Sequence, residues 1–226
     1  MPRAANVILV HGAWASGSSW SKVIPMLAAR GMRVTAVALP LTSLTDDVAT
    51  VARAIALQNG PTILVGHSYG GAVITEGGTD AKVVGLVYVA AFAPDFGQSV
   101  GSLGASVAPA PLNAELRPDA FGFLKLTETG IREDFAQDLD SGEQTLLFAL
   151  QGPIAGAALG GNVSAPAWRT KPSWYLVATR DRAIQPHLQR TMAKAIKART
   201  VEIDASHVAM LARPKETAAL ILEACS

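Results

Sequence analysis

Short apolar runs alternate along the chain with longer segments in which apolar and polar residues mix. The runs are rich in Val, Ile and Leu and lack alternation, a pattern typical of strands buried on both faces of a parallel sheet. They occupy residues 7–10, 34–39, 62–65, 83–90, 174–178 and 201–203. Helices are expected between them, at residues 19–30, 45–58, 69–77, 187–198 and 214–224. This order predicts an α/β fold in which helices cover a parallel sheet.

The alternation stops between residues 95 and 168. Gly, Pro and Ala cluster at both ends of this stretch, and the helical fragments between them carry Phe and Leu side chains. We expect residues 95–168 to form an inserted helical cap over one edge of the sheet. Residues 1–94 and 169–226 would then form the core domain.

Composition and charge exclude several classes of protein. Hydrophobic residues make up 50% of the 226 positions, charged residues only 16%, and the formal net charge is +1. Such a chain has enough apolar surface to fold and no charge excess that would attract nucleic acid or an anionic membrane. Its one cysteine, Cys225, excludes an intrachain disulfide. The N-terminus shows no secretory signal, and the apolar stretch at 83–93 is too short to span a bilayer, so we expect a cytoplasmic protein.

The clearest chemical signal is the pattern G-x-S-x-G at residues 66–70 (GHSYG), which is followed by Gly71. It lies between a predicted strand and a predicted helix, the context of a nucleophile elbow. Small neighbours let the tight turn close, and the turn lifts the hydroxyl of Ser68 clear of the sheet. Ser68 is therefore the predicted nucleophile.

A serine hydroxyl needs a base, and the base needs an acid that orients it. Of the four histidines in the chain, His207 follows a predicted strand late in the sequence, where the order Ser–acid–His expects the base. His187 is interpreted as a solvated helix residue. Asp181, just after the preceding strand, is the predicted acid. Asp95 is the alternative acid, and Asp204 is interpreted as a solvated loop residue.

The oxyanion formed in such a reaction needs two backbone donors. The N–H of Tyr69 at the start of a helix is one candidate, and the N–H of Ala13, after the first strand, is the other. Gly12 would let that loop turn, and Trp14 would form a wall of the site. Residues 12–18 resemble a phosphate-binding loop but lack its lysine. We expect no metal and no cofactor.

On the basis of these residues, the chain resembles the α/β-hydrolase family. Within that family it is most similar to the small cofactor-free esterases and hydroxynitrile lyases. The resemblance extends over essentially the whole chain. It is carried by residues 11–14 (HGAW), residues 66–71 (GHSYGG), Asp181 with Pro186 five residues on, and His207. It implies a catalytic triad and two oxyanion donors: Ser68, Asp181, His207, Ala13 and Tyr69. The family usually opens with two further strands, so we expect a three-layer fold with about six parallel strands.

Two departures separate this chain from other members of the family. Hydroxynitrile lyases of this type carry a threonine after the first histidine and a lysine after the catalytic one, where this chain has Gly12 and Val208. Epoxide hydrolases and haloalkane dehalogenases use an aspartate where this chain has Ser68. The resemblance therefore favours an esterase over a lyase or a dehalogenase.

The expected function is a serine hydrolase that cleaves small to medium, mostly apolar carboxylic esters through an acyl-enzyme. We expect five residues to line the substrate pocket: Gly12, Trp14, His67, Phe123 and Val208. One alternative is a ligand receptor on the same fold with slow or no turnover. Another is a lactonase, acyltransferase, perhydrolase or lyase that uses the same residues. The oligomeric state is not predicted.

Overall fold

The computed structural model describes residues 4–226, which form one six-stranded parallel sheet surrounded by helices. Residues 1–3 lie outside the described residues, and they belong to the N-terminus in which we predicted no secretory signal. In sheet order the strands are β2 (Arg33–Ala36), β1 (Asn6–Val10), β3 (Thr62–His67), β4 (Val83–Val89), β8 (Ser173–Ala178) and β9 (Arg199–Ile203). Every residue of β1, β3 and β8 is buried, which explains their continuous apolar runs. The predicted α/β fold with six parallel strands is confirmed.

Ten α-helices are assigned within residues 4–226. They are α1 (Ile24–Ala28), α2 (Leu44–Ala56), α3 (Tyr69–Gly77), α4 (Val100–Ala105), α5 (Glu128–Gly130), α6 (Ser141–Leu150), α7 (Gly156–Gly160), α8 (Pro186–Ala195), α9 (Ala209–Ala212) and α10 (Pro214–Ala224). Short 3-10 helices cover Gly17–Trp20, Pro111–Glu115 and Ala167–Arg169, and a π-helix covers Ile131–Phe135. The helices α2 and α3 pack on each other, as do α1 and α10. In the described part of the chain, no helix has the length and apolar character needed to cross a membrane.

Two predicted elements differ from those in the structure. The helix expected over 19–30 is a 3-10 helix at Gly17–Trp20 followed by the shorter α1, whose first turn contains Pro25. Proline lacks an N–H and fits the start of a helix rather than its interior, so a helix begins there. The strand expected over 34–39 ends at Ala36, although the N–H of Val37 still donates to the carbonyl of Leu9.

The chain leaves the sheet after β4 and returns to it at β8, and most of this excursion is the predicted cap (residues 95–168). The cap is not helical throughout. It contains a three-stranded antiparallel sheet of β5 (Leu116–Pro118), β6 (Phe123–Leu126) and β7 (Ile154–Ala155), which the sequence analysis did not predict. These strands have only two to four residues and are mostly exposed or half-buried outside β7, so they lack the apolar signature of a buried strand. The division into core and cap domains remains a prediction.

Hydrogen bonds join the cap to loops at the carboxyl ends of the core strands. The backbone N–H of Ala155 in β7 donates to the carbonyl of Leu41 at 2.9 Å. The indole N–H of Trp14, in the loop after β1, donates to the carbonyl of Leu124 in β6, also at 2.9 Å. The cap therefore meets the core where the predicted site residues follow their strands.

Candidate active site

Ser68 occupies a strained turn between β3 and α3. Its φ of 53° and ψ of −123° lie outside the regions that L-residues usually adopt. The glycines on either side leave no room for a side chain. A Cβ at Gly66 would lie 2.6 Å from the carbonyl oxygen of Gly70, and a Cβ at Gly70 would lie 2.6 Å from that of Val10. The sequence G-x-S-x-G thus forms the predicted elbow because only glycine fits at both flanking positions.

His207 and Asp181 lie on the loops after β9 and β8 and form a buried pair. The Nδ1 of His207 is 2.7 Å from the Oδ2 of Asp181, and both side chains are fully buried. Because a carboxylate only accepts hydrogen bonds, Nδ1 carries the proton in this pair. In the neutral ring the lone pair is then on Nε2, the atom that a general base must present.

Further donors fix the carboxylate of Asp181. Its Oδ1 accepts the backbone N–H groups of Ala183 at 2.7 Å and Ile184 at 2.9 Å. Its Oδ2 accepts the side-chain N–H of Gln189 at 2.7 Å as well as the imidazole. Gln189 is fully buried on α8, and its own Oε1 accepts the N–H of Ala178 at the end of β8. Sequence analysis missed this glutamine, because one polar residue in an amphipathic helix carries no distinctive signal.

The imidazole of His207 lies among other rings. Its centroid is 4.7 Å from that of His67 and 5.0 Å from that of Phe135 in the π-helix. The Nε2 of His67 donates to the carbonyl of His207 at 3.0 Å. Burial, and then the neighbouring charge of His207, hold the pKa of His67 well below its usual value. His67 is therefore a neutral residue that holds the loop of His207 from the elbow side.

The loop after β1 closes on the elbow. A Cβ at Gly12 would lie 2.6 Å from the Cβ of Ser68, so glycine permits this approach. Within residues 4–226, the Nε2 of His207 has no hydrogen-bond partner, Ser68 included. Catalytic hydrogen bonds are often long or poorly aligned in unliganded enzymes and tighten when substrate binds. The geometry thus leaves Nε2 of His207 unoccupied while its other nitrogen is held by Asp181.

A cavity of about 510 Å³ opens at Ser68 and is lined mainly by apolar side chains. Ala13, Trp14 and Tyr69 lie in its wall beside Ser68. Much of the remaining lining comes from α4 and the cap chain that follows it, a segment of mostly small apolar residues. A volume of this size suits a small organic molecule. As the first residue of α3, Tyr69 has a backbone N–H without an intrahelical acceptor.

Of the five residues expected in the pocket, Trp14 lies in the cavity wall and the other four do not. Gly12 touches the elbow instead, and the side chain of His67 is buried against His207. Val208 is fully buried, and Phe123 lies in the small sheet of the cap. Sequence analysis missed the cap residues that do line the cavity, because alanine, glycine and valine carry no chemical signal.

A buried pair fixes the side chain of Tyr69. Its hydroxyl donates to the Oδ2 of Asp47 at 2.6 Å, and the N–H of Leu41 donates to Oδ1 at 2.8 Å. Burial raises the pKa of the Asp47 carboxyl, and the two hydrogen bonds oppose that shift. Burial and the bond to Asp47 raise the pKa of the Tyr69 phenol, which stays neutral. The pair links α2 to the first residue of α3.

The alternative acid, Asp95, and the two residues interpreted as solvated, Asp204 and His187, make other contacts. Asp95 pairs with Arg169 at 2.7 Å, and Asp204 pairs with Arg180 at 2.6 Å. His187 is exposed on α8. Across the part of the chain that the structure describes, no group of three or more His, Cys, Asp or Glu side chains could hold a metal ion.

Comparisons with known proteins agree with this fold. The sequence matches the model of the alpha/beta hydrolase family over residues 7–220, so the chain belongs to that family. A pyrethroid hydrolase of Sphingobium wenxiniae is 27% identical in an alignment of 253 positions that covers 96% of this chain and 86% of the relative. Methylesterase 7 of Arabidopsis thaliana is 28% identical in an alignment of 265 positions that covers 96% of this chain and 94% of the relative.

Solved structures show the same architecture. The crystal structure of polyneuridine aldehyde esterase superposes with a TM-score of 0.87 at 19% identity, covering 99% of this chain and 100% of the other. At this identity the likeness shows the fold. Together with the curated relatives, it confirms the resemblance to the esterase group. The relatives also support the predicted enzyme class, carboxylic ester hydrolase.

Proposed function

We propose that this protein is a serine hydrolase that cleaves small to medium, mostly apolar carboxylic esters through an acyl-enzyme. The observation that carries the proposal is the buried bond from His207 to Asp181 at 2.7 Å, with Ser68 on a strained elbow at the end of an apolar cavity. The names of the relatives, which include methylesterase and pyrethroid hydrolase, support the same class of reaction.

In the proposed mechanism, His207 removes the proton of Ser68 as its oxygen attacks the ester carbonyl. The backbone N–H groups of Ala13 and Tyr69 would bind the oxyanion of the tetrahedral intermediate. His207, stabilised as imidazolium by Asp181, then protonates the departing alcohol and leaves Ser68 acylated. Water, deprotonated by the same histidine, releases the carboxylic acid and restores the hydroxyl of Ser68.

The apolar wall of the cavity supports an uncharged substrate. Among residues 4–226, the cavity lining includes four residues with hydroxyl or amide side chains, Ser68, Tyr69, Asn113 and Gln185, and no charged residue. A substrate with an apolar acyl or alcohol group would bury that group against the cap. The balanced net charge of the chain gives no reason to expect a polyanionic partner. The cytoplasmic location remains a prediction.

The first prediction concerns the nucleophile. Replacing Ser68 with Ala should lower kcat for p-nitrophenyl acetate by at least about 1000-fold, because the reaction loses its covalent step. Ser21→Ala, at an exposed serine, should keep wild-type turnover. A fluorophosphonate probe should add one label to the wild type, located at Ser68 by mass spectrometry, and none to Ser68→Ala. Unchanged turnover in Ser68→Ala, or a label elsewhere, would contradict the proposal.

A further inference from the structure

Asp138 reaches from the cap to the loop that carries His207. It lies in the turn between the π-helix and α6. Its Oδ2 accepts the backbone N–H of Ser206 at 2.7 Å, and the guanidinium of Arg180 lies 3.5 Å from the same oxygen. The Asp138 side chain is only 10% exposed and Ser206 is fully buried. A charged acceptor from the cap thus holds the amide immediately before the proposed base.

Neighbouring cap residues touch both catalytic loops, and we call residues 134–138 the clamp segment. The ring of Phe135 packs against the imidazole of the base at 5.0 Å between centroids. The side-chain amide of Gln137 donates to the carbonyl of Arg180, next to the proposed acid, at 2.7 Å. Asp134 forms an ion pair with Arg182 on the other side of that acid, at 2.5 Å. Four side chains from the clamp segment therefore contact the two loops.

The core supplies only part of what holds the loop of His207. The carbonyl of Ala205 accepts the N–H of Arg180 at 3.0 Å, and the carbonyl of His207 accepts the imidazole N–H of His67. The amide of Ser206, which lies between these two points, is bonded to the cap. Three consecutive residues are thus held by the acid loop, the cap and the elbow.

We propose that the clamp segment positions the catalytic base, with Asp138 as a positioning residue for His207. This inference rests on the proposed function. The cap would then act on the chemical step as well as on substrate binding. Without the carboxylate of Asp138, the buried amide of Ser206 has no partner, and the loop would shift to find one. Because proton transfer requires close alignment, a displacement of about 1 Å can lower the rate by about 100-fold.

The test compares substitutions at Asp138 with a control on the π-helix that precedes it. Asp138→Ala should lower kcat by about 10- to 100-fold with KM changed less than about twofold, since the cavity wall is untouched. Asp138→Asn keeps an oxygen acceptor in place and should recover kcat to within about threefold of wild type. Arg132→Ala removes an exposed ion pair to Glu128 and should leave both constants unchanged.

The outcomes are distinguishable. The inference is overturned if Asp138→Ala keeps wild-type kcat, if its loss lies in KM, or if Asp138→Asn is as slow as Asp138→Ala. If Asp138→Ala does not fold, Asp138→Glu replaces it in the test, because glutamate keeps the charge but moves the acceptor by one methylene. Wild-type kcat in Asp138→Glu would also overturn the inference. An active Ser68→Ala variant would refute the proposed function itself. An inactive Ser68→Ala variant beside a fully active Asp138→Ala variant would refute only the role of the clamp segment.

Discussion

Gln189 holds the carboxylate of Asp181 in place, although it does not line the cavity. Its side-chain N–H groups donate to the Oδ2 of Asp181 and to the carbonyl of Ile184, each at 2.7 Å. Its Oε1 accepts the N–H of Ala178 at 3.1 Å. One fully buried side chain therefore fixes both ends of the loop that carries Asp181.

Replacing Gln189 with Leu should lower both activity and stability. The N–H of Ala178 would be buried without an acceptor, at a cost of about 1–3 kcal/mol in the free energy of unfolding. The carboxylate of Asp181 would lose one donor, and we expect kcat to fall by about tenfold with KM unchanged. Urea denaturation and steady-state kinetics measure the two effects. Gln58→Leu is the matched control, because Gln58 follows the end of α2 and, among the described residues, its side chain bonds only to the carbonyl of Ala54 there. Equal effects in both variants would contradict the prediction.

Individual residues were predictable where their chemistry is distinctive. The serine of G-x-S-x-G and the late histidine are recognisable because few residue types can act as nucleophile or base. In the structure the imidazole of His207 lies against Asp181. The roles of base and acid remain predictions. Gln189 and Asp138 act through hydrogen bonds that any polar residue at the correct place in space could make. Such roles depend on contacts between distant parts of the chain, which a single sequence does not encode visibly.

Among the elements, the turn from β3 to α3 is the most constrained. Gly70 lies against the carbonyl oxygens of Val10 and His11, at 2.6 and 2.7 Å from the place a Cβ would take. The first turn of α3 therefore packs directly on the end of β1. This contact brings the elbow and the loop with Ala13 together.

Gly70→Ala should disturb this packing. The added methyl group overlaps the backbone of β1, so we expect a loss of about 1–3 kcal/mol in the free energy of unfolding and a large loss of kcat. Gly77→Ala, in the last turn of the same helix, has its nearest contact at 3.5 Å and should be neutral or stabilise by up to about 1 kcal/mol. Chemical denaturation and ester turnover of both variants check this. A Gly70→Ala variant as stable and active as Gly77→Ala would contradict the prediction.

The sequence predicted buried strands better than exposed ones. Strands of the central sheet are buried on both faces, and their apolar runs located them to within a few residues. The strands of the cap are short, antiparallel and half-exposed outside β7, so neither periodicity nor a continuous apolar run marks them. The cap residues that line the cavity also give no signal in the sequence, because they are small and contribute by leaving room for a ligand.

Two buried histidines make the free energy of unfolding depend on pH. Burial lowers the pKa of His11 and lowers that of His67 further. In the unfolded chain both side chains titrate near about pH 6.5. Between about pH 7 and 5.5 the unfolded state therefore binds more protons than the folded state, and the free energy of unfolding falls as the pH falls.

The His67→Gln substitution tests this linkage. In the variant, the free energy of unfolding should depend less steeply on pH between about pH 7 and 5.5. The difference in slope should correspond to the uptake of up to one proton fewer on unfolding. Urea denaturation at intervals from pH 5.5 to 8 gives the slope independently of any change in absolute stability. Above about pH 7.5 the curves of variant and wild type should run parallel, since the histidine is neutral in both states there. Equal slopes below pH 7 would contradict the assignment of His67 as a buried neutral residue.

The bond from the indole of Trp14 to Leu124 has a consequence for how such enzymes change specificity. Trp14 follows Ala13 directly, and its partner belongs to the small sheet of the cap. A cap exchanged for another as a unit would have to reproduce that acceptor, or the loop beside Ala13 would be released. Altered selectivity should therefore be sought by substitutions within the present cap, along α4 and the chain after it, rather than by transplanting a foreign one.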